Sequence, residues 1–248
     1  MPNFLISTMT WSYSRLKAYE DCPYAWYLKY LECEKGESNF FAEYGSLMHK
    51  ILEQFYTGKM KRSEMLPYYL RHFHTDIQHL APSDTVYWNY YRQGMNYLCG
   101  FSPISKQITA VEQRVEFELE DRLFCGFVDL RCEWDGECVV DHKSRTLAPR
   151  STRKKPTKSD RELDSYLRQL YLYSVPQKPE WLVFNCFREG RIIRERFSED
   201  AFQRVKEWAL QTIFTLENNE DWSPNPEYFK CKYLCDMRFQ CDYRDKVV

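Results

Sequence analysis

Glycine is scarce, at 8 of 248 residues, which speaks for a globular chain and against a disordered one. No Gly-x-x-x-x-Gly-Lys-Ser/Thr segment occurs, which excludes a recognisable ATP motor within the chain. Charge of one sign is also missing. Lys and Arg total 35 against 36 Asp and Glu, a formal −1, so any nucleic-acid contact must come from local clustering of cations. No apolar run approaches the roughly 18–20 residues needed to cross a bilayer. The N-terminus lacks a basic segment followed by a long apolar core. These absences predict a soluble, cytoplasmic protein with no membrane partner. There is no internal repeat and no low-complexity segment.

What is abundant is aromatic and sulfur chemistry. Aromatics make up 17 % of the chain, with 19 Tyr and 16 Phe, a globular composition with ample material for a core. Ten cysteines in a chain without a secretory signal predict reduced thiols, some of them available to a metal.

Periodicity predicts helices first. Ser12 or Ser14 caps a short helix carrying Leu16 and Tyr19. Cys22-Pro23 then marks a helix–helix corner, because Pro suits the first turn of a following helix. Residues 43–56 read as a helix with Gly45, His49, Leu52 and Tyr56 on one face. Residues 61–101 read as helical too. Alternation begins at Val111, Gln113, Val115, Phe117 and Leu119, a half-exposed strand. Two further apolar runs, 123–132 and 138–143, flank Asp135-Gly136. A basic, flexible loop is expected over 145–161, then a helix over 161–174. A second hairpin over 181–197 and a long helix capped by Ser198 follow, before a tail with Cys231, Cys235 and Cys241.

The hairpin around Asp135-Gly136 carries the chemistry. Asp141 and Lys143 share a face by strand alternation. A two-residue turn would set residue 129 opposite 142 and put Asp129 on the wrong face. A three-residue loop Trp134-Asp135-Gly136, with Gly136 left-handed, pairs 129 with 141 and brings both carboxylates together. That loop is therefore expected, and it also sets Cys132 opposite Cys138. Two carboxylates and an amine on one sheet edge suit a divalent metal that binds oxygen.

Gly126-Phe127-Val128-Asp129, followed by Asp141-His142-Lys143, resembles the active-site motif of the PD-(D/E)XK nuclease superfamily, in its RecB-like branch. Further segments resemble that family in order along the chain. Gly45 through Glu53 resembles its Gly-x-x-x-His-x-x-Leu-Glu helix, and Gln169 through Tyr173 its Gln-x-x-x-Tyr helix. Cys22-Pro23-Tyr24 together with Cys231, Cys235 and Cys241 resembles the subset that holds a [4Fe–4S] cluster. The commonest family triplet has two residues between its first two cysteines, whereas three separate Cys231 from Cys235.

The resemblance implies a restriction-endonuclease-like α/β fold. Its central mixed sheet is flanked by helices, and a helical N-terminal region is clasped to the C-terminal tail by a metal cluster. It implies one nuclease domain over 1–248, with a helical region 1–105, a catalytic core 106–217 and a cysteine tail 218–248. It also implies Mg²⁺ or Mn²⁺ held by His49, Asp129, Asp141 and the backbone carbonyl of His142. Lys143, Gln169 and Tyr173 join Asp129 and Asp141 in catalysis, and Glu112 stands as an outer-shell carboxylate. Cys22, Cys231, Cys235 and Cys241 hold the cluster, with Zn²⁺ as the alternative in that site.

Between Arg145 and Arg168 there are eight Lys and Arg against three acids. Arg150, Arg153, Lys154, Lys155 and Lys158 are thus candidates for phosphate contact. The expected activity is DNA phosphodiester hydrolysis, as an exonuclease acting on ends or single strands in recombination, repair or phage DNA processing. A structure-specific or end-trimming endonuclease and a non-catalytic DNA-binding subunit are the alternatives. A helicase or recombination protein is a possible partner, and the oligomeric state is open.

Overall fold

The computed structural model describes residues 4–246. Six helices lead: α1 (Phe4–Ser7), α2 (Tyr13–Asp21), α3 (Pro23–Tyr30), α4 (Phe40–Tyr56), α5 (Arg62–Asp76) and α6 (Asp84–Cys99). Strands β1 (Gln107–Leu119), β2 (Arg122–Glu133) and β3 (Glu137–Lys143) precede α7 (Lys158–Tyr173). The chain continues through β4 (Trp181–Cys186), β5 (Arg191–Arg196) and α8 (Glu199–Glu217) into the tail.

The five strands form one sheet in the order β1-β2-β3-β4-β5. β3 and β4 run parallel across the α7 crossover, and the other neighbours are antiparallel. This is an α/β core with a mixed sheet flanked by helices, as a restriction-endonuclease-like fold requires. One side of the sheet buries Val139, Leu182 and Phe184 with Leu167 and Leu170 of α7 and Ile213 and Leu216 of α8. The leading helices build a separate aromatic core from Phe40, Tyr44, Tyr69, Phe73 and Phe101, into which Phe187 inserts after β4.

Side-chain caps move several boundaries from their sequence expectations. Asn39 accepts from the backbone N–H groups of Phe41 and Ala42, so α4 starts three residues earlier than the apolar pattern alone indicates. Residues 61–101 divide into α5 and α6, with Ser83 capping the second. Thr157 and Asp160 form a reciprocal capping box, which draws Lys158 into α7. The expected flexible basic loop is also pinned. Asp160 accepts from the backbone N–H and hydroxyl of both Ser151 and Thr157, each at 2.7 Å. Leu147 is buried in the main core.

The β2–β3 turn has the three-residue length that the carboxylates require. Glu133 pairs with Glu137, Cys132 with Cys138 and Leu130 with Val140. The left-handed position falls on Asp135 (φ 48°), a residue type that tolerates it. Gly136 takes φ 113°, where side-chain-bearing residues are strained.

Candidate active site

The ladder between β2 and β3 ends at Leu130 and Val140. Beyond it the strands part, and Trp11 bridges to β2 instead: its N–H donates to Leu123 O and its carbonyl accepts from Cys125 N–H. The site lies where the two strands separate. There Asp129 Oδ2 accepts the His142 backbone N–H at 2.7 Å, replacing a strand-to-strand bond with a side-chain one.

Glu112 stands across from Asp129, between the paired positions Val111↔Leu130 and Gln113↔Val128. It adopts φ 47° in the middle of a strand, a left-handed conformation costing roughly 1–2 kcal/mol for a residue with a side chain. The strain coincides with a change in burial. Val115, Phe117, Phe124 and Val128 belong to the α7/α8 core. Leu130 and Val111 belong to a small cluster with Cys132, Cys138 and Tyr56. The sheet changes its buried side at Glu112 and Asp129, and the irregular backbone brings the two carboxylates close to each other. Strain of this kind persists where surrounding structure over-determines it.

His49 enters from α4. Its Nε2 lies 2.7 Å from the His142 carbonyl, a contact that needs a proton on that nitrogen because the carbonyl has none to give. Its Nδ1 lies 3.5 Å from Asp129 Oδ2. Burial pushes the imidazole pKa down, favouring the neutral ring. One ligand atom from each of His49, Glu112 and Asp129 falls within 4.8 Å of the others. Glu112, expected in an outer shell, therefore stands beside His49 and Asp129.

Asp141 and Lys143 point toward α7. Lys143 Nζ stands 2.8 Å from Asp141 Oδ2 and donates to Gln169 Oε1 at 2.8 Å. Asp141 Oδ2 is buried and meets Lys143 as an ion pair. Burial first, then the Asp141 charge, pushes Asp129 well above the usual carboxylate range. Burial and the charges of Glu53 and Asp141 push Glu112 upward as well. Two carboxylates that resist ionisation, a neutral imidazole and the buried carboxylate of Asp141 nearby together fit a hard divalent cation.

The remaining candidates are dispersed. Tyr173 is only 5 % exposed. It packs on Gly126 so closely that a Cβ there would sit 2.2 Å from the ring. The glycine of Gly-Phe-Val-Asp is thus the floor on which α7 rests. Tyr166 lies under Lys143 and Arg145, with the cations 5.7 and 5.5 Å from its ring centre. Arg150 is committed to Asp164 at 2.7 Å and Glu195 at 2.9 Å. Arg153, Lys154, Lys155 and Lys158 are exposed. Glu53, not among the site residues expected from the sequence, lines the open cleft of about 540 Å³ with His49, Glu112 and Ser144. Its place four residues after His49, one helical turn along the same face, was the available signal.

At the far end, Cys22 closes α2 and opens α3. It lines a cavity of about 30 Å³ with Cys231, Cys235 and Cys241. Lys230–Leu234 forms a π-helical turn, closed by Cys235 N–H donating to Lys230 O at 2.8 Å. A π-turn accommodates one residue more than an α-turn, which accounts for the extra residue between Cys231 and Cys235. Burial pushes Cys235 up to about 11.

A family model for the PD-(D/E)XK nuclease superfamily matches residues 10–242. No curated protein matches the chain. Among the described residues, no helix is long and apolar enough to cross a membrane.

Proposed function

The chain belongs to the PD-(D/E)XK nuclease superfamily, and from that premise we propose that it is a DNA exonuclease working at ends or single strands in recombination, repair or phage DNA processing. The observation that carries the catalytic reading is the convergence of His49, Glu112 and Asp129 at one point, with the Asp141–Lys143–Gln169 chain beside it.

His49, Glu112, Asp129 and Asp141, with the His142 carbonyl, would hold Mg²⁺ or Mn²⁺. An imidazole among the donors favours Mn²⁺. When bound, the metal supplies Lewis acidity toward the phosphodiester and lowers the pKa of water. The chain's own residues do the rest. Lys143 orients the attacking water or offsets charge on the phosphorus oxygens as the bond to the leaving oxygen breaks. Gln169 holds the ammonium in place by accepting one of its protons. Asp141, buried beside Lys143, holds that amine from the other side through their ion pair. Tyr173 fixes α7 against β2, and with it the position of Gln169. Arg153, Lys154 and Lys155 on the loop between β3 and α7, with Lys158 at the start of α7, would supply phosphate contact, while Arg150 braces the loop through its ion pairs.

Cys22, Cys231, Cys235 and Cys241 would hold a [4Fe–4S] cluster that staples the α2–α3 corner to the tail, a structural role. Zn²⁺ held by the same four thiolates is the alternative in that site.

Digestion of end-labelled linear DNA against closed circular DNA, in Mn²⁺ or Mg²⁺, tests the reading. Wild type should degrade the linear form and spare the circle, and Asp141→Ala should degrade neither. Cleavage of the circle would establish the endonuclease alternative. Equal activity in Asp141→Ala would remove that carboxylate from the mechanism.

A further inference from the structure

The cysteine tail exposes a run of aromatic side chains that its clasp role does not explain. Tyr228 is 47 % and Phe229 41 % exposed. A structural staple would bury such rings, since each is a large apolar surface left in water. Both stand at the entrance to the π-helical turn at Lys230–Leu234, and single π-turns occur frequently at functional sites.

Their surroundings are charged in a particular way. Lys232 Nζ lies 5.0 Å from the Tyr228 ring centre and 5.4 Å from that of Tyr233. Phe229 packs against Tyr233 at 5.2 Å. Tyr228, Lys232 and Arg244 line one cleft of about 290 Å³ together with Cys231 and Asp245. Aromatic faces interleaved with exposed cations match a strand whose phosphates meet the cations while its bases stack on the rings.

The surface is also continuous with the active site. Phe229 contacts Phe41 at 5.9 Å between ring centres. Phe41 lines the same cleft as His49, Glu53 and Glu112. A chain leaving the metal centre past Phe41 therefore meets Phe229 next, then Tyr228 and Lys232.

We propose that Phe229 and Tyr228, backed by Lys232 and Arg244, form a stacking platform for single-stranded DNA. The platform guides an unpaired strand between the tail and the catalytic cleft. The inference rests on the nuclease reading above and narrows it to unpaired DNA. A duplex hides its base faces inside the stack and presents nothing for these rings to cover, so the platform selects single strands.

The test measures fluorescence anisotropy of labelled oligothymidine and of a blunt duplex, using full-length protein carrying Asp141→Ala so that the DNA survives. Tyr228→Ala and Phe229→Ala should each weaken oligothymidine binding about tenfold, the scale of one lost base stack. Duplex binding should stay unchanged, and Phe229→Trp should restore the single-strand affinity. Tyr228 is exposed and packs mainly on Lys232, so its variant carries the test should Phe229→Ala lose structure in a thermal melt. Unchanged oligothymidine affinity in folded Tyr228→Ala, or equal loss for duplex, overturns the platform. If intact wild type cleaves no DNA yet these variants still lose single-strand affinity, the nuclease reading fails and the platform stands.

Discussion

The carboxylate centre and the cysteine clasp are built on opposite physical plans. The first sits on strands β1–β3, where register fixes positions closely, and it concentrates buried like charge: Asp129 and Glu112 both resist ionisation. The second sits on irregular backbone, yet many bonds independent of the thiols hold it. Arg238 donates to the carbonyls of Glu37, Ser38 and Cys235. Asn39 donates to Leu234 O at 3.0 Å, and Glu37 N–H to Asp236 O at 2.9 Å. A rigid scaffold thus carries an electrostatically strained site, while a loosely wound segment carries a mechanically reinforced one. Losing a catalytic side chain should then affect rate and leave stability nearly intact. Losing cysteines should do the reverse.

The largest expected effect belongs to the first site. Lys143→Ala should lower the rate of DNA cleavage about 10²–10³-fold, as removing one positioned transition-state donor does, with the melting temperature nearly unchanged. A large drop in melting temperature would show that the lysine serves the fold instead.

A smaller effect is expected from the clasp. Cys231→Ser with Cys235→Ser should abolish the brown colour of anaerobically purified protein and loosen the tail. Protease cleavage should then concentrate after residue 218, while β-sheet circular dichroism persists. Colourless wild-type protein that binds stoichiometric Zn²⁺ would replace the iron–sulfur assignment.

The smallest effect joins the two plans through packing. Gly126→Ala places a methyl group against the buried Tyr173 ring and should destabilise by about 1–3 kcal/mol in urea unfolding. Adding Tyr173→Phe leaves the ring edge that clashes and should recover little. Adding Tyr173→Ala should suppress most of the further cost of the methyl group.

Much of this arrangement was legible in the chain. Apolar alternation and the length of the Trp134–Gly136 loop gave the β2–β3 register, because only one register brings Asp129 and Asp141 together. Helix ends were less legible at Asn39 and Thr157, where side-chain caps extend helices past the apolar pattern. The position of Glu112 was not legible in depth. Regular alternation suggests an outlying carboxylate, but its left-handed backbone turns it into the cleft beside His49. The commitment of Arg150 to Asp164 and Glu195 was equally hidden, since those partners lie 14 and 45 residues away. Tyr173 stands in the sequence as the end of the Gln-x-x-x-Tyr motif, and only the absent Cβ of Gly126 explains how deeply it packs.

The central claim is that His49, Glu112 and Asp129 make one divalent-cation site, and calorimetric titration of Mn²⁺ into the protein tests it most directly. Wild type should bind with an affinity that rises as pH increases. Asp129 and Glu112 must lose protons to ligate, and their raised pKa values place that loss above the ordinary carboxylate range. Asp129→Asn and Glu112→Gln should each weaken binding at least tenfold and flatten the pH dependence. Unchanged Mn²⁺ affinity in both variants would contradict the account.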